Sequence, residues 1–314
     1  MSEELARIIQ RQTQGRGAHG PVATAIAGLS LHRCEHPRPL THLIYKPALC
    51  IVAQGAKWAM FGSTRLDYAL GQALVVGVEM PGIGQVVEAS PERPYLGVTA
   101  ELDLAVLREV AGQVEAPAAP SAEAGSGIFV LDLDGPLADC ILRLARLLDT
   151  PEAAPHLAPL IQREVCYRLL TGPRGGEVAR IGLRGSRAQR ILGAIHALRA
   201  RFAEPVRTRD LAEVARMSAS AFHRQFKALT LTTPLQYQKQ MRLLEARRLM
   251  IAGAANVETA AFQVGYESAS QFSREFKRLF GLSPVEEVRR MRALRAAPPA
   301  PPAAVPAPKY VTAV

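Results

Sequence analysis

The spacing of apolar residues changes character along the chain. Between residues 22 and 102, Val-, Ile- and Leu-rich stretches such as LCIVAQGAKWAMFG, LDYALGQALVVGVEM and GQVVEASPERPYLGVTAELD are broken at close intervals by Gly and Pro. This punctuation predicts short antiparallel strands in a sandwich or small barrel. A helical start follows Leu102, and then APAAPSAEAGSG, a flexible loop by composition. Two helices come next. Leu137, Ile141, Leu144 and Leu148 recur at three and four residues, and Leu157, Leu160, Ile161, Val165 and Leu169 form a second stripe. TGPRGGE then marks a domain boundary. From Ser186, a serine cap, the pattern is helical throughout, with a break at Pro205. The terminal AAPPAPPAAVPAP cannot pack a core and is expected to be disordered or polyproline-like. The expected fold class is α+β, in four segments. These are an N-terminal helix or arm (1–20), an antiparallel β-barrel with helices (21–180), an all-α domain (186–292) and the Pro/Ala-rich tail (293–314).

Within the helical region a single stretch is written twice. SASAFHRQFKAL begins at Ser218 and SASQFSREFKRL at Ser268, with eight of twelve positions identical. Phe222, Phe226 and Leu229 fall at i, i+4 and i+7 and line one helix face, as do Phe272, Phe276 and Leu279. These are core positions. The opposite faces carry Ser220, His223, Arg224 and Lys227 in the first copy, and Ser270, Ser273, Arg274 and Lys277 in the second. Such short, donor-rich faces suit a helix laid in a major groove; a single copy would read better as an ordinary solvated face. The fifty-residue offset also matches Val214 with Val264, Ala215 with Gly265, and Thr233-Pro234 with Ser283-Pro284. The repeated unit is therefore helix, tight turn, helix and a capped new helix, the helix-turn-helix pattern. The segment Pro234 to Ala252 between the copies has 19 residues, roughly 28 Å of helix. Adjacent major-groove faces lie about 34 Å apart, so one chain could present both copies to neighbouring boxes. His223 against Ser273, and Gln225 against Glu275, would let the boxes differ in sequence.

Charge sharpens this picture. Residues 1–180 hold 16 basic and 19 acidic residues, whereas residues 181–314 hold 22 and 9. The basic excess accompanies the repeat and points to a polyanion, with double-stranded DNA the first candidate. No run of eighteen apolar residues predicts a transmembrane helix, and MSEELARIIQ has the wrong order of charge and hydrophobicity for a secretory signal. A cytoplasmic location and no membrane partner are expected. Cys34, Cys50, Cys140 and Cys166 are scattered without a CxxC pair, so they read as thiols in a reducing compartment.

Residues from about Ala194 to Arg290 resemble the DNA-binding domain of AraC/XylS-type transcriptional regulators. The likeness is carried by LAEVARMSASAFHRQFK, TPLQYQKQMRLLEARRLM and AAFQVGYESASQFSREFKRLFGLSP. It implies base-reading roles for Ser220, His223 and Arg224 and for Ser270, Ser273 and Arg274; Lys227 and Lys277 are expected on phosphate or in solvent. One departure is Leu231, which stands where the family usually has a glycine. Residues from about Pro21 to Leu170 are similar to the N-terminal domain of one AraC-type subgroup, through YKPALCIVAQGAKW and LLDTPEAAPHLAPLIQREVCYRLLTGP among others. That resemblance implies a cupin-like β-barrel that senses a small effector, mediates dimerisation or does both, in a transcriptional activator. RNA polymerase and a second copy of the chain are further partners it allows.

Tyr45, Gln54, Lys57, Trp58 and Glu88 are the candidate effector contacts, as polar or aromatic groups in an apolar barrel. The alternative is a cupin-type metal-dependent enzyme with an appended DNA-binding domain. His32, Cys34 and His36 would share a strand face while Glu35 points away, and no His-x-His pair occurs. No metal, cofactor or catalytic residue is therefore expected.

Overall fold

A computed structural model describes residues 2–15, 20–114, 126–133, 135–182 and 185–296. The loop expected over APAAPSAEAGSG lies almost wholly outside the described residues, as does the tail from residue 297.

Helix α1 (Ser2–Thr13) is followed by strands β1 (Val22–Ala23), β2 (Leu29–Cys34), β3 (Thr41–Tyr45), β4 (Ala48–Gln54) and β5 (Ala56–Phe61). Strands β6 (Thr64–Ala69), β7 (Gln72–Val76), β8 (Met80–Glu88) and β9 (Tyr95–Glu101) continue the run. They pair in two antiparallel sheets, in the order β1-β2-β9-β4-β7-β10 and β3-β8-β5-β6, where β10 is Ile128–Asp132. The antiparallel β domain is thus as expected, but these pairings leave two open sheets rather than a closed ring. Strand β10 was not legible in advance, because IFVLD is short and follows a polar loop. It adds to the sheet edge by pairing Phe129 with Val75.

The helices α2 (Leu104–Ala111), α3 (Gly135–Arg146), α4 (Ala154–Thr171) and α5 (Gly175–Gly182) pack on one another, and their buried residues share one apolar core with the sheets. Helix α1 is no free arm: Leu5, Ile8 and Ile9 are buried against β2, β4 and β9. The glycine-rich TGPRGGE leads directly into α5, whose Val178, Ala179 and Ile181 are buried and whose neighbours include α4 and α6.

The helical region comprises α6 (Arg187–Ala200), α7 (Thr208–Val214), α8 (Ala219–Thr230), α9 (Pro234–Ile251), α10 (Val257–Gln263), α11 (Ala269–Phe280) and α12 (Pro284–Ala296). Its two halves bury their aromatics differently. Phe222, Phe226 and Tyr237 belong to one apolar core that runs on into the sheet domain. Phe272, Phe276 and Phe280 form a separate core with Leu243, Ala246 and Met250. Polar contacts reinforce the first junction: Tyr237 Oη donates to the Glu79 carbonyl at 2.7 Å, Gly127 N–H to the Leu229 carbonyl at 3.0 Å, and Arg199 pairs with Glu79. The sheet domain reaches the second half through the His42 ring, whose centroid lies 4.9 Å from that of Phe280.

Candidate nucleic-acid interface

Helix α8 starts where the Ser218 side chain accepts the Ala221 N–H, and α11 starts the same way at Ser268 and Gln271. Each cap satisfies one of the otherwise orphaned first-turn donors. Burying Phe222 and Phe226 on one face turns Ser220, His223, Arg224 and Lys227 outward, and all four are exposed. On α11 the same geometry exposes Ser270, Arg274 and Lys277, with Ser273 half-buried. Among the described residues, the side chains of Arg224, Lys227, Arg274 and Lys277 make no ion pair or hydrogen bond to protein. They stand ready for an external acceptor.

The two turns differ by one residue, which corrects the pairing expected from the fifty-residue offset. The Arg216 N–H donates to Glu213 and Met217 to Ala212, just as Gly265 donates to Phe262 and Tyr266 to Ala261. Arg216, at φ 52°, is therefore the counterpart of Gly265, at φ 86°. The second turn has an extra residue before its cap, and the offset is fifty only from Ser218 onward. Gly265 is required twice over, because a Cβ there would also sit 1.8 Å from the Ala203 carbonyl oxygen. After α8, Leu231 takes the left-handed conformation at φ 60°, as Gly281 does after α11 at φ 79°. A leucine held there costs on the order of 1–2 kcal/mol. The turn keeps its shape despite the missing glycine, with the Gly62 turn packed against the Leu231 carbonyl.

Helix α9 joins the units rigidly. It opens with a capping box between Thr233 and Gln236, and Pro234 occupies its first turn. The Arg242 guanidinium donates to the carbonyls of Phe202 (2.7 Å), Ala203 (3.1 Å), Glu204 (2.8 Å) and Gly265 (2.9 Å). It thereby ties the end of the segment after α6 to the turn of the second unit. Arg247 pairs with the buried Glu287 of α12, and Arg248 with Glu245 on its own helix. Glu275 faces inward, accepting from Lys239 and Tyr266. Burial opposes its charge, but bonds from Lys239, Tyr266 and Gln271 hold its carboxyl below the usual range. The Gln225/Glu275 difference is thus taken up in packing α11 on α9.

The candidate effector residues are divided by the sheet pleat. Tyr45 and Lys57 point into the space between the sheets, where Tyr68, Tyr95, His32, Cys34, Cys50 and Thr99 join them. Gln54 is engaged with the Pro94 carbonyl, Glu88 is exposed, and Trp58 lies on the other face beneath Arg65, 4.7 Å away. His32 Nε2 is 2.8 Å from Thr99 Oγ1. Burial, with Lys57 and Arg38 adding to it, lowers its pKa to about 3. Burial also pushes the Cys50 and Cys34 thiols up, which disfavours the reactive thiolate. His36 is exposed and His42 lies against Phe280, so the histidines near the start of the sheet do not converge. Among the described residues, no three His, Cys, Asp or Glu side chains group as metal ligands would. The sequence places His32 and Cys34 on one strand face, whereas Tyr68, Tyr95 and Thr99 were missed; the period-two spacing of Tyr95 and Thr99 along one strand is the signal that could have found them.

Two helix-turn-helix units on one connecting helix, packed on a two-sheet domain, define a DNA-binding protein of the regulator class. Residues 25–177 match the family model described as AraC-type transcriptional regulator N-terminus, and residues 211–290 one described as helix-turn-helix domain. The chain belongs to the AraC-type transcriptional regulators. It is 36% identical over 83 residues to the HTH-type transcriptional activator RhaS of Escherichia coli O139:H28, a match covering 26% of this chain and 30% of that relative. The chain therefore spans less than a third of this relative's length. In fold it is similar to an apo variant of ToxT from Vibrio cholerae, at a TM-score of 0.56 and 10% identity over 86% of this chain and all of that one. A second ToxT structure, bound to (E)-4-(8-methylnaphthalen-1-yl)but-3-enoic acid, aligns at 0.54 and 12% identity over 84% of this chain and 98% of that one. No helix among the described residues is long and apolar enough to cross a membrane.

Proposed function

We propose that the chain is a sequence-specific transcriptional regulator, acting in the cytoplasm as an activator, that reads two adjacent major-groove boxes with α8 and α11. The observation that supports this best is the pair of exposed arginines, Arg224 and Arg274, unpartnered among the described residues, at equivalent positions of two capped helices joined by one helix. Each arginine is assigned a bidentate contact to guanine. Ser220, His223, Ser270 and Ser273 complete the base-reading faces, and Lys227 and Lys277 contact phosphate. On this reading residues 21–180 form the regulatory domain and 186–292 the DNA-binding domain, with a small effector held between the sheets. ToxT, which shares the fold, has been seen with an organic acid bound. RNA polymerase and a second copy of the chain are the further partners in this proposal. Neither domain is assigned a catalytic role. Selection from a random duplex library tests the reading, with two conserved boxes the expected result. Recovery of no preferred sequence would leave only a nonspecific binder, and stoichiometric iron or manganese in the purified chain would favour an enzyme.

A further inference from the structure

Between the two sheets lies a group of polar side chains that DNA reading does not use. Across one sheet Lys57 pairs with Tyr68 and Val86, and across the other Cys50 pairs with Thr99 and Leu74. The glycines of β8 make room for them. The point where a Cβ on Gly84 would sit lies 2.4 Å from Tyr45 Oη and 3.3 Å from Lys57 Cε. Lys57 is near enough to the opposite sheet to act electrostatically on His32 and Cys50.

This group lacks acceptors. Tyr45 and Tyr68 are 4% and 2% exposed, yet among the described residues their hydroxyls have no hydrogen-bond partner. Among the described residues, Lys57 Nζ makes no ion pair or hydrogen bond, and the charged groups acting on it include Arg38 but no carboxylate. Buried donors without acceptors, and a cation without a counter-charge, are strongly unfavourable in a folded chain. Their presence calls for an acceptor that arrives from outside.

We propose that this space is the effector site and that its ligand is a small organic anion, a carboxylate or comparable oxyanion on an apolar body. The inference rests on reading the sheet domain as an effector domain. The anionic group accepts from Lys57 Nζ and from the Tyr45 and Tyr68 hydroxyls. Val52, Leu74 and Val86, on the same faces as Cys50 and Lys57, contact the apolar body. A cation finds no counter-charge here. Burial, seconded by Arg38, holds the Lys57 amine below its ordinary range, and an entering anion would act in the opposite direction.

The test uses the full-length chain. Without ligand, Lys57→Met should hold or raise the melting temperature, because it removes a half-buried amine that makes no ion pair or hydrogen bond among the described residues. A lower melting temperature would mean that Lys57 is already satisfied and would overturn the proposal. Calorimetry then compares hexanoate, octanoate and benzoate with hexan-1-ol, octan-1-ol and benzyl alcohol. At least one acid should bind about tenfold or more tightly than its alcohol, and Lys57→Met and Tyr45→Phe should each erase most of that preference. Equal binding of acid and alcohol, acid binding unchanged in Lys57→Met, or no acid binding at all would overturn it. Operator affinity measured beside binding separates the two levels. A neutral compound that binds and shifts operator affinity keeps the effector reading while refuting the anion. An acid that binds through Lys57 without altering operator affinity supports the anion site and refutes the effector reading.

Discussion

Replacing Arg242 by Met would test whether the two reading units are held as one body. The side chain donates to four carbonyls, but Gln238 also serves those of Phe202 and Glu204, at 2.9 and 2.8 Å. The substitution therefore strips the side-chain donor from Ala203 and Gly265 alone, while methionine keeps most of the apolar stem. An orphaned buried carbonyl costs about 1–3 kcal/mol, and water reaches this half-buried site, so a total of about 2–4 kcal/mol is expected. Urea unfolding followed by circular dichroism would measure it. The looser joint should also weaken binding to a two-box site more than to either box alone. A stability loss below about 0.5 kcal/mol, the range of ordinary surface substitutions, with two-box affinity unchanged, would refute the idea that Arg242 joins the units.

Other substitutions probe separate features of the molecule. Arg224→Ala and Arg274→Ala should each relax base preference in one box, by about 1–3 kcal/mol at a guanine; uniform weakening over all sequences would make the residue a phosphate contact. Gly265→Ala should destabilise the second unit severely, since it meets both positive φ and the Ala203 carbonyl; thermal unfolding and two-box affinity like wild type would show that the turn is not so constrained. His32 gives a pH dependence of defined sign. With a folded pKa of about 3 against 6.5, the unfolded chain takes up the proton first, so stability is full above pH 6.5 and declines toward pH 3. Between pH 6.5 and 5 this residue accounts for at most about 2 kcal/mol, and His32→Gln should flatten that stretch of the urea-midpoint profile; an unaltered slope would reject the assignment.

The reading helices were legible because aromatic spacing, serine caps and polar faces all recur in one short stretch. Leu231 stood out only through the family resemblance, as a leucine where a glycine is usual; that the turn keeps its left-handed form is shown by the structure. The one-residue difference between the turns was not, since identity begins only at Ser218 and nothing before it fixes the register. In the sheet domain, composition identified strands but not which faces point inward. Hence Trp58, Gln54 and Glu88 stood beside Tyr45 and Lys57 as candidates, although pleat and pairing separate them. Strand β10 depends on a distant partner, β7, and Arg242 acts through carbonyls far along the chain. Neither leaves a local sequence signal.

The most direct measurement is a hydroxyl-radical footprint of the full-length chain on its selected duplex, repeated with Arg224→Ala and with Arg274→Ala. Reading by both helices predicts two protected patches on one face of the DNA, about 34 Å apart, with each variant losing protection at a different patch. A single patch, or both variants weakening the same one, would contradict it.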